Sequence, residues 1–318
     1  MGHEVKAMGR DGRKLVIVQL MGGLGNQLQQ YALYRKLVRM GKEARLDTSW
    51  FALQDMKNKD LTPRELELDR FDRLIYEVCT PEEKAELIGS EGYAGKLRRK
   101  FFPGKIKWFR EYEMYHPEIF DFEDMYISGY FACEKYYGDI LYDLRDKIQF
   151  PSSGNPLNRE MEKEIRKRQS VSIHIRRGDY LDEVNKAMFG GICTKEYYQS
   201  AVQYMLQRFP DAHFFVFSDD SGYAKENYQG DRYTVIDWNR GRDSFYDMQL
   251  MSCCKHNICA NSTFSFWGAR LNSNENKVMI RPAVHKNTQT FEPGRMHDLW
   301  QGWIFIDKTG QIFAEEER

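Results

Sequence analysis

Three stretches of this chain share one local grammar: a short apolar run, a loop of small or polar residues, then a helical pattern. The first is Leu15 to Val18, the loop Met21 to Gln27, and a helix over about 28–40 with Leu28, Tyr31, Ala32 and Leu37 on one face. The second is Val171 to Arg176, the loop Arg177 to Tyr180, and a helix over about 195–208 capped by Thr194. The third is His256 to Ala260, then Asn261-Ser262-Thr263, then a helix over 264–271. Further strands are expected over 213–217, 233–236 and 278–280. Strands that alternate with helices build parallel sheets, whose ligands sit beyond the carboxyl ends of the strands, where all three loops lie. The stretch 151–168 opens with Pro, Ser and Gly and turns into a charged helix, so it reads as a link between two α/β units. The expected division is 1–155 and 156–318.

Composition narrows the function classes. At 318 residues the chain has room for two ordinary domains or one large one. Lysine plus arginine (47) equals aspartate plus glutamate (47), so there is no basic excess of the kind a general nucleic-acid binder carries. A bound phosphate would need a local cluster of charge. No apolar run approaches the roughly 18 residues that span a bilayer, and the charged start lacks a signal-peptide core. The expectation is a soluble protein of the cytoplasm, at most peripheral to the inner membrane face. Six cysteines without a CxxC pair read as reduced thiols, and His256 does not give Cys253, Cys254 and Cys259 a zinc-ligand spacing.

The residues that could carry chemistry cluster at the three loops. Along a strand side chains alternate, so Val171, Ile173 and Ile175 pack one way while Ser172, His174 and Arg176 face the other. A guanidinium at the end of that strand can fork onto two phosphate oxygens; alternatively Arg176 or Arg177 pairs with Asp179. Asn261 to Phe264 stand where a strand meets a helix, which makes either a phosphate seat or a plain helix cap. Gly22 to Gln27 follow a strand and open a helix without matching the dinucleotide or P-loop fingerprints, and glycine there would let the backbone approach a ligand. Asp219 and Asp220 suggest either a metal pair or the cap of a turn. Asp247, three residues after Ser244, has the spacing of a capping box. The aromatic side chains, Trp267 among them, are expected mainly in the core.

Taken together, Gly22–Ala32, Gly129–Tyr137, His174–Tyr180, Phe217–Asp220 and Asn261–Ala269 resemble, in order, the motifs of the bacterial alpha-1,2-fucosyltransferases, family eleven of the inverting glycosyltransferases. The resemblance implies a GT-B-like α/β fold: two Rossmann-like domains facing across a cleft, the first mainly for the acceptor and the second for GDP-fucose. It implies that Arg176 grips the β-phosphate with His174 beside the nucleotide, and that Asp247 reads the guanine edge. Arg177, Asp219 and Asn261 also fall within the implied donor site. Ser262, Thr263 and Phe264 would line the diphosphate pocket, with Asn26 and Gln27 approaching from the other domain. No cofactor or metal is expected. The implied reaction is an inverting attack by a sugar hydroxyl, with O-2 of a terminal galactose on a glycan acceptor the family-level expectation. Asp179 is the first choice for the base, with Asp182 and Glu183 as alternatives. Two rival readings remain: a metal-dependent sugar-nucleotide transferase using Asp219 and Asp220, and a non-catalytic glycan-binding protein.

Overall fold

The computed structural model describes residues 14–52, 64–90, 92, 95, 97, 100, 101, 104, 106–178, 180 and 183–314. By internal contacts the chain forms two compact units: residues 1–22, 29–66 and 75–132, and residues 23–28, 67–74 and 133–318. The division therefore falls at 132/133, and two short segments from the amino-terminal half group with the second unit.

The first unit is built on β1 (Val16–Gln19), followed by α1 (Leu24–Arg39), of which residues 29–39 group with this unit, then β2 (Ala44–Asp47), α2 (Pro81–Ile88), β3 (Trp108–Arg110) and β4 (Met125–Ser128). The strands run parallel in the order β2-β1-β4-β3. Val16, Ile17 and Val18 are buried on both faces, as an apolar run in the middle of a parallel sheet must be. The first helix begins four residues earlier than its apolar periodicity suggests. Gly22 takes φ 79°, a left-handed turn that costs glycine little, and the Gly23 carbonyl accepts from the N–H groups of Asn26 and Gln27. Thr80 and Glu83 cap α2 reciprocally, which fixes its start.

The second unit contains α3 (Leu141–Lys147), α4 (Pro156–Lys167), β5 (Ser170–Ile175), α5 (Glu183–Phe189), α6 (Lys195–Arg208), β6 (His213–Ser218), α7 (Ser221–Asn227) and β7 (Tyr233–Ile236). These are followed by α8 (Phe245–Cys253), β8 (His256–Ile258), α9 (Thr263–Leu271), β9 (Met279–Pro282), α10 (Pro293–Leu299), β10 (Trp303–Ile306) and β11 (Ile312–Phe313). Seven strands lie in the order β11-β10-β9-β8-β5-β6-β7, parallel throughout except for the β10–β11 pair. The sequence order runs outward from β5 to β6 and β7 on one side, then returns to β8 on the other. The switch point lies between β5 and β8, and it positions the site.

One core face is made by Val171, Ile173 and Ile175 with Tyr197, Phe214, Val216 and Ile258. Burying each large apolar side chain there contributes roughly 1.5–3 kcal/mol. The parallel α/β architecture is the one the alternating pattern predicts, and the helix over 195–208 begins at its expected cap, where Thr194 accepts from the Tyr197 N–H at 3.1 Å. The helix over 156–167, read from sequence as a link, is part of this unit and packs on α8. All six cysteines are free thiols. Among the described residues, no helix is long and apolar enough to cross a membrane.

Candidate active site

The alternation along β5 holds, but neighbouring elements cover both of its faces. Ser172, 1% exposed, accepts from the Asn257 side-chain amide at 2.8 Å, and His174, 5% exposed, lies with its ring 5.7 Å from that of Phe264. Burial lowers the His174 pKa to about 4 against the pull of Asp219, with Arg176 pushing the same way as burial. Burial thus favours the neutral imidazole of His174 at pH 7.

Beyond the strand the chain becomes partly accessible. The Arg176 guanidinium pairs with Asp219 at 3.0 Å, and the other Asp219 oxygen accepts from the Arg177 N–H at 2.9 Å. The Arg177 side chain pairs with Asp220 at 3.0 Å and lies 3.9 Å above the Tyr223 ring. Asp220 also caps α7, accepting from the Tyr223 N–H at 3.0 Å. That backbone bond, and then Arg177, hold its carboxyl below the usual range. The parallel register explains the pairing, because β5 lies beside β6 with Ile175 opposite Ser218. A Cβ on Gly178 would sit 2.7 Å from an Asp219 oxygen, so only glycine allows this carboxylate so close.

Among the described residues, the carboxylates paired with the two arginines are therefore Asp219 and Asp220, one strand away. Asp179 and Asp182 lie outside the described residues; Glu183 opens α5 and is exposed. Each member of the Asp219–Asp220 pair is engaged by an arginine, and among the described residues no group of three or more His, Cys, Asp or Glu side chains could hold a metal.

Across the switch point, β8 ends at Ile258 and leads through Cys259 and Ala260 to Asn261 and Ser262, ahead of Thr263, the first residue of α9. Asn261 is 2% exposed, and its amide nitrogen donates to the Phe189 and His285 carbonyls, both at 3.1 Å. Its backbone carbonyl accepts from the Tyr180 hydroxyl at 3.0 Å. Asn261 thus ties α5 and the loop after β9 to the end of β8, a structural hub within the site. Ser262 stands at the N-cap of α9 but makes no side-chain cap. Thr263 donates its hydroxyl to the Asn26 side-chain oxygen at 2.9 Å.

A Cβ at Gly25 would come within 2.5 Å of the Phe264 nitrogen. The glycine of the first loop is therefore needed for its approach to the first turn of α9. Gln27 is fully buried and accepts from the Glu67 N–H at 2.8 Å. Residues 23–28, Asn26 and Gln27 among them, group with the second unit.

Cations hold the far end of α9. Lys277 donates to the Ala269 and Asn272 carbonyls at 2.9 and 2.7 Å, and Arg145 donates to the Arg270 carbonyl at 2.6 Å. Burial lowers the Lys277 pKa to about 7, so Arg145 is the firmer charge at the carboxyl end; with no side-chain cap at the amino end, the dipole of α9 favours an anion there.

Asp247 lies on α8. The capping box expected from its spacing is absent, since Ser244 makes no side-chain cap. Instead one carboxylate oxygen accepts from the Asn239 amide at 2.8 Å. The residue as a whole is half-buried but its carboxyl group is enclosed, and that burial raises its pKa to about 7 against the Asn239 hydrogen bond. Trp267 is fully buried and stacks on Tyr137 at 5.7 Å, a packing role as expected. Sequence reasoning missed the partners of the key residues: Asp219 for Arg176, Asn239 for Asp247, and Lys277 at the end of α9. None of them has a local sequence signal.

A parallel sheet with an arginine and an uncapped helix N-terminus on the two sides of its switch point suits a nucleotide-sugar-dependent glycosyltransferase. The family model described as Glycosyl transferase family 11 matches residues 110–307, and the chain belongs to that family. It is 31% identical over 304 residues to an "Alpha-1,2-colitosyltransferase" of Escherichia coli, covering 92% of this chain and 99% of that protein. It is 33% identical over 282 residues to the "O-antigen biosynthesis glycosyltransferase WbnK" of Escherichia coli, covering 83% and 92%. A shorter match, 32% over 109 residues, is to "Galactoside alpha-(1,2)-fucosyltransferase 1" of Rattus norvegicus, covering 34% of this chain and 29% of that one.

Proposed function

We propose that this glycosyltransferase moves L-fucose from GDP-β-L-fucose to a sugar hydroxyl, with inversion and without a divalent metal. The observation that carries this reading is Arg176, at the end of the central strand, across the switch point from the uncapped start of α9. As the acceptor hydroxyl attacks the anomeric carbon, negative charge grows on the departing β-phosphate. A guanidinium and helix N–H groups placed before the reaction stabilise that charge with little rearrangement. Arg176 moves from Asp219 toward the diphosphate, and Asp219 keeps its bond to the Arg177 backbone.

Asp247 reads guanine by accepting from N1–H and the 2-amino group. Asp179 takes the acceptor proton, a contribution of roughly 10²–10⁴-fold, with Asp182 and Glu183 as the other candidates. The first unit mainly holds the acceptor and the second the donor. The acceptor is a galactose-containing glycan attacked at O-2, a reading supported by the alpha-1,2 linkage in the names of two relatives. We place the reaction in the cytoplasm.

The test is GDP release from GDP-fucose across a panel of glycan acceptors, followed by linkage analysis of the product. An α-1,2-fucoside is expected; no turnover with any acceptor would favour the glycan-binding reading. A second donor is favoured by one observation: the relative that this chain matches over 99% of its length is named for colitose. Running GDP-colitose beside GDP-fucose separates the two, and the donor with the higher kcat/KM is the substrate.

A further inference from the structure

Three residues from two segments, Asn158 on α4 and the adjacent Trp238 and Asn239, hold Asp247 in a hydrogen-bond relay with only one possible direction. The Trp238 indole N–H, which can only donate, points at the Asn158 side-chain oxygen at 2.7 Å. That fixes the Asn158 amide, whose nitrogen then donates to the Asn239 oxygen at 2.8 Å and to the Ser153 hydroxyl at 3.0 Å. Asn239 must in turn present its nitrogen, which donates to the Asn158 oxygen at 2.9 Å and to the Asp247 carboxylate at 2.8 Å. Asn158 and Asn239 are 3% and 8% exposed, so every polar atom in this pair needs a partner, and each has one. The other Asp247 oxygen takes no hydrogen bond from the described residues.

We propose that Asn239, oriented by Asn158 and Trp238, is a positioning residue that pins one oxygen of Asp247 and presents the other to the base of the donor nucleotide. The relay would then determine the preference for guanine over adenine. This rests on the guanine-reading role of Asp247 proposed above. Guanine offers N1–H and a 2-amino group to an ionised carboxylate, whereas adenine offers an acceptor at N1. The amide of Asn239 stabilises the ionised form, and a protonated Asp247 would lose an acceptor.

The charged groups on the elements around α8 are engaged elsewhere. Arg166 pairs with Glu162, and Arg270 with Glu134. Arg70 pairs with Glu67 and donates to the Arg242 carbonyl, while Asp243 acts on Tyr246. Burial and Asn239 are what set the Asp247 carboxyl.

The experiment is calorimetric binding of GDP, with ADP as comparison, from pH 5.5 to 8.5 in the full chain and in Asn239→Ala, Trp238→Phe and Asp247→Asn. Wild-type affinity for GDP should rise with pH to a plateau. In Asn239→Ala the midpoint of that rise should move to higher pH, with about a tenfold loss at pH 7 and a smaller GDP-over-ADP ratio. Trp238→Phe, which keeps the ring and removes only the donor, should shift the midpoint in the same direction by less. Loss by a pH-independent factor in Asn239→Ala, or none at all, overturns the relay while a weakened Asp247→Asn preserves the guanine contact. Unchanged GDP affinity in Asp247→Asn removes both.

Discussion

Asp219 bonds with one oxygen to Arg176 and with the other to the backbone of Arg177, so it both neutralises the first arginine and shapes the loop that carries it. A diphosphate can compete for Arg176 by offering a bidentate partner of higher charge. Arg176→Ala should lower turnover at least 10²-fold, while its thermal midpoint stays within a few degrees of wild type. GDP release and thermal unfolding check the two halves, and near-normal turnover rejects the phosphate clamp. Asp247 gives a prediction of opposite sign for stability. Its carboxyl titrates near 7 when folded, above its unfolded value, so folding favours the protonated form and stability falls as pH rises from about 4 to about 7. Asp247→Asn should therefore be more stable than wild type at pH 8, on the order of 1–3 kcal/mol, with the gain vanishing near pH 4. Denaturant unfolding at the two pH values measures it.

At the scale of elements, α9 is the piece whose ends matter most. Its amino end carries no side-chain cap, Gly25 lies against its first turn, and Lys277 and Arg145 satisfy its last carbonyls. Gly25→Ala places a methyl against backbone atoms that cannot swing away, so a destabilisation of about 1–3 kcal/mol is expected. A raised KM for the donor should accompany it, and unchanged unfolding would mean the loop does not pack there. Much of this scale was legible beforehand: β5 alternates polar with apolar residues, β6 and β7 are runs of four or more mostly apolar residues, and α6 is announced by Thr194. β2 was not, because Arg45 and Asp47 sit in a four-residue strand whose buried carboxylate is held by Tyr126 and Lys84. α4 lay inside the expected second domain, and although its surface is charged, Asn158 and Ile165 are buried within that unit.

For the molecule as a whole, the boundary at 132/133 assigns Cys133 to Lys147 to the second unit, where Glu134 pairs with the buried Arg270 of α9 at 2.7 Å. The motif around Glu134 thus supports the proposed donor site from within its own unit. Because arginines occupy both Asp219 and Asp220, activity should persist after exhaustive chelation. A loss that magnesium or manganese restores would reinstate the metal-dependent reading. The balanced charge of 47 against 47 predicts no gross electrostatic attraction to polyanions, so binding to nucleic acid at physiological salt should be undetectable by mobility shift.

The sequence alone determined the α/β class, the loops at strand ends, the residue types offered there and the family resemblance, because periodicity, glycine and capping residues act over a few positions. Only the tertiary structure decided which partner each charged or polar group takes. Asp219 comes to Arg176 because β6 lies beside β5, Gly25 reaches Thr263 across 238 positions, and Asn158 reaches Asn239 across 81. Such pairings satisfy buried polar atoms wherever the fold brings them together, and no short stretch of sequence carries that information.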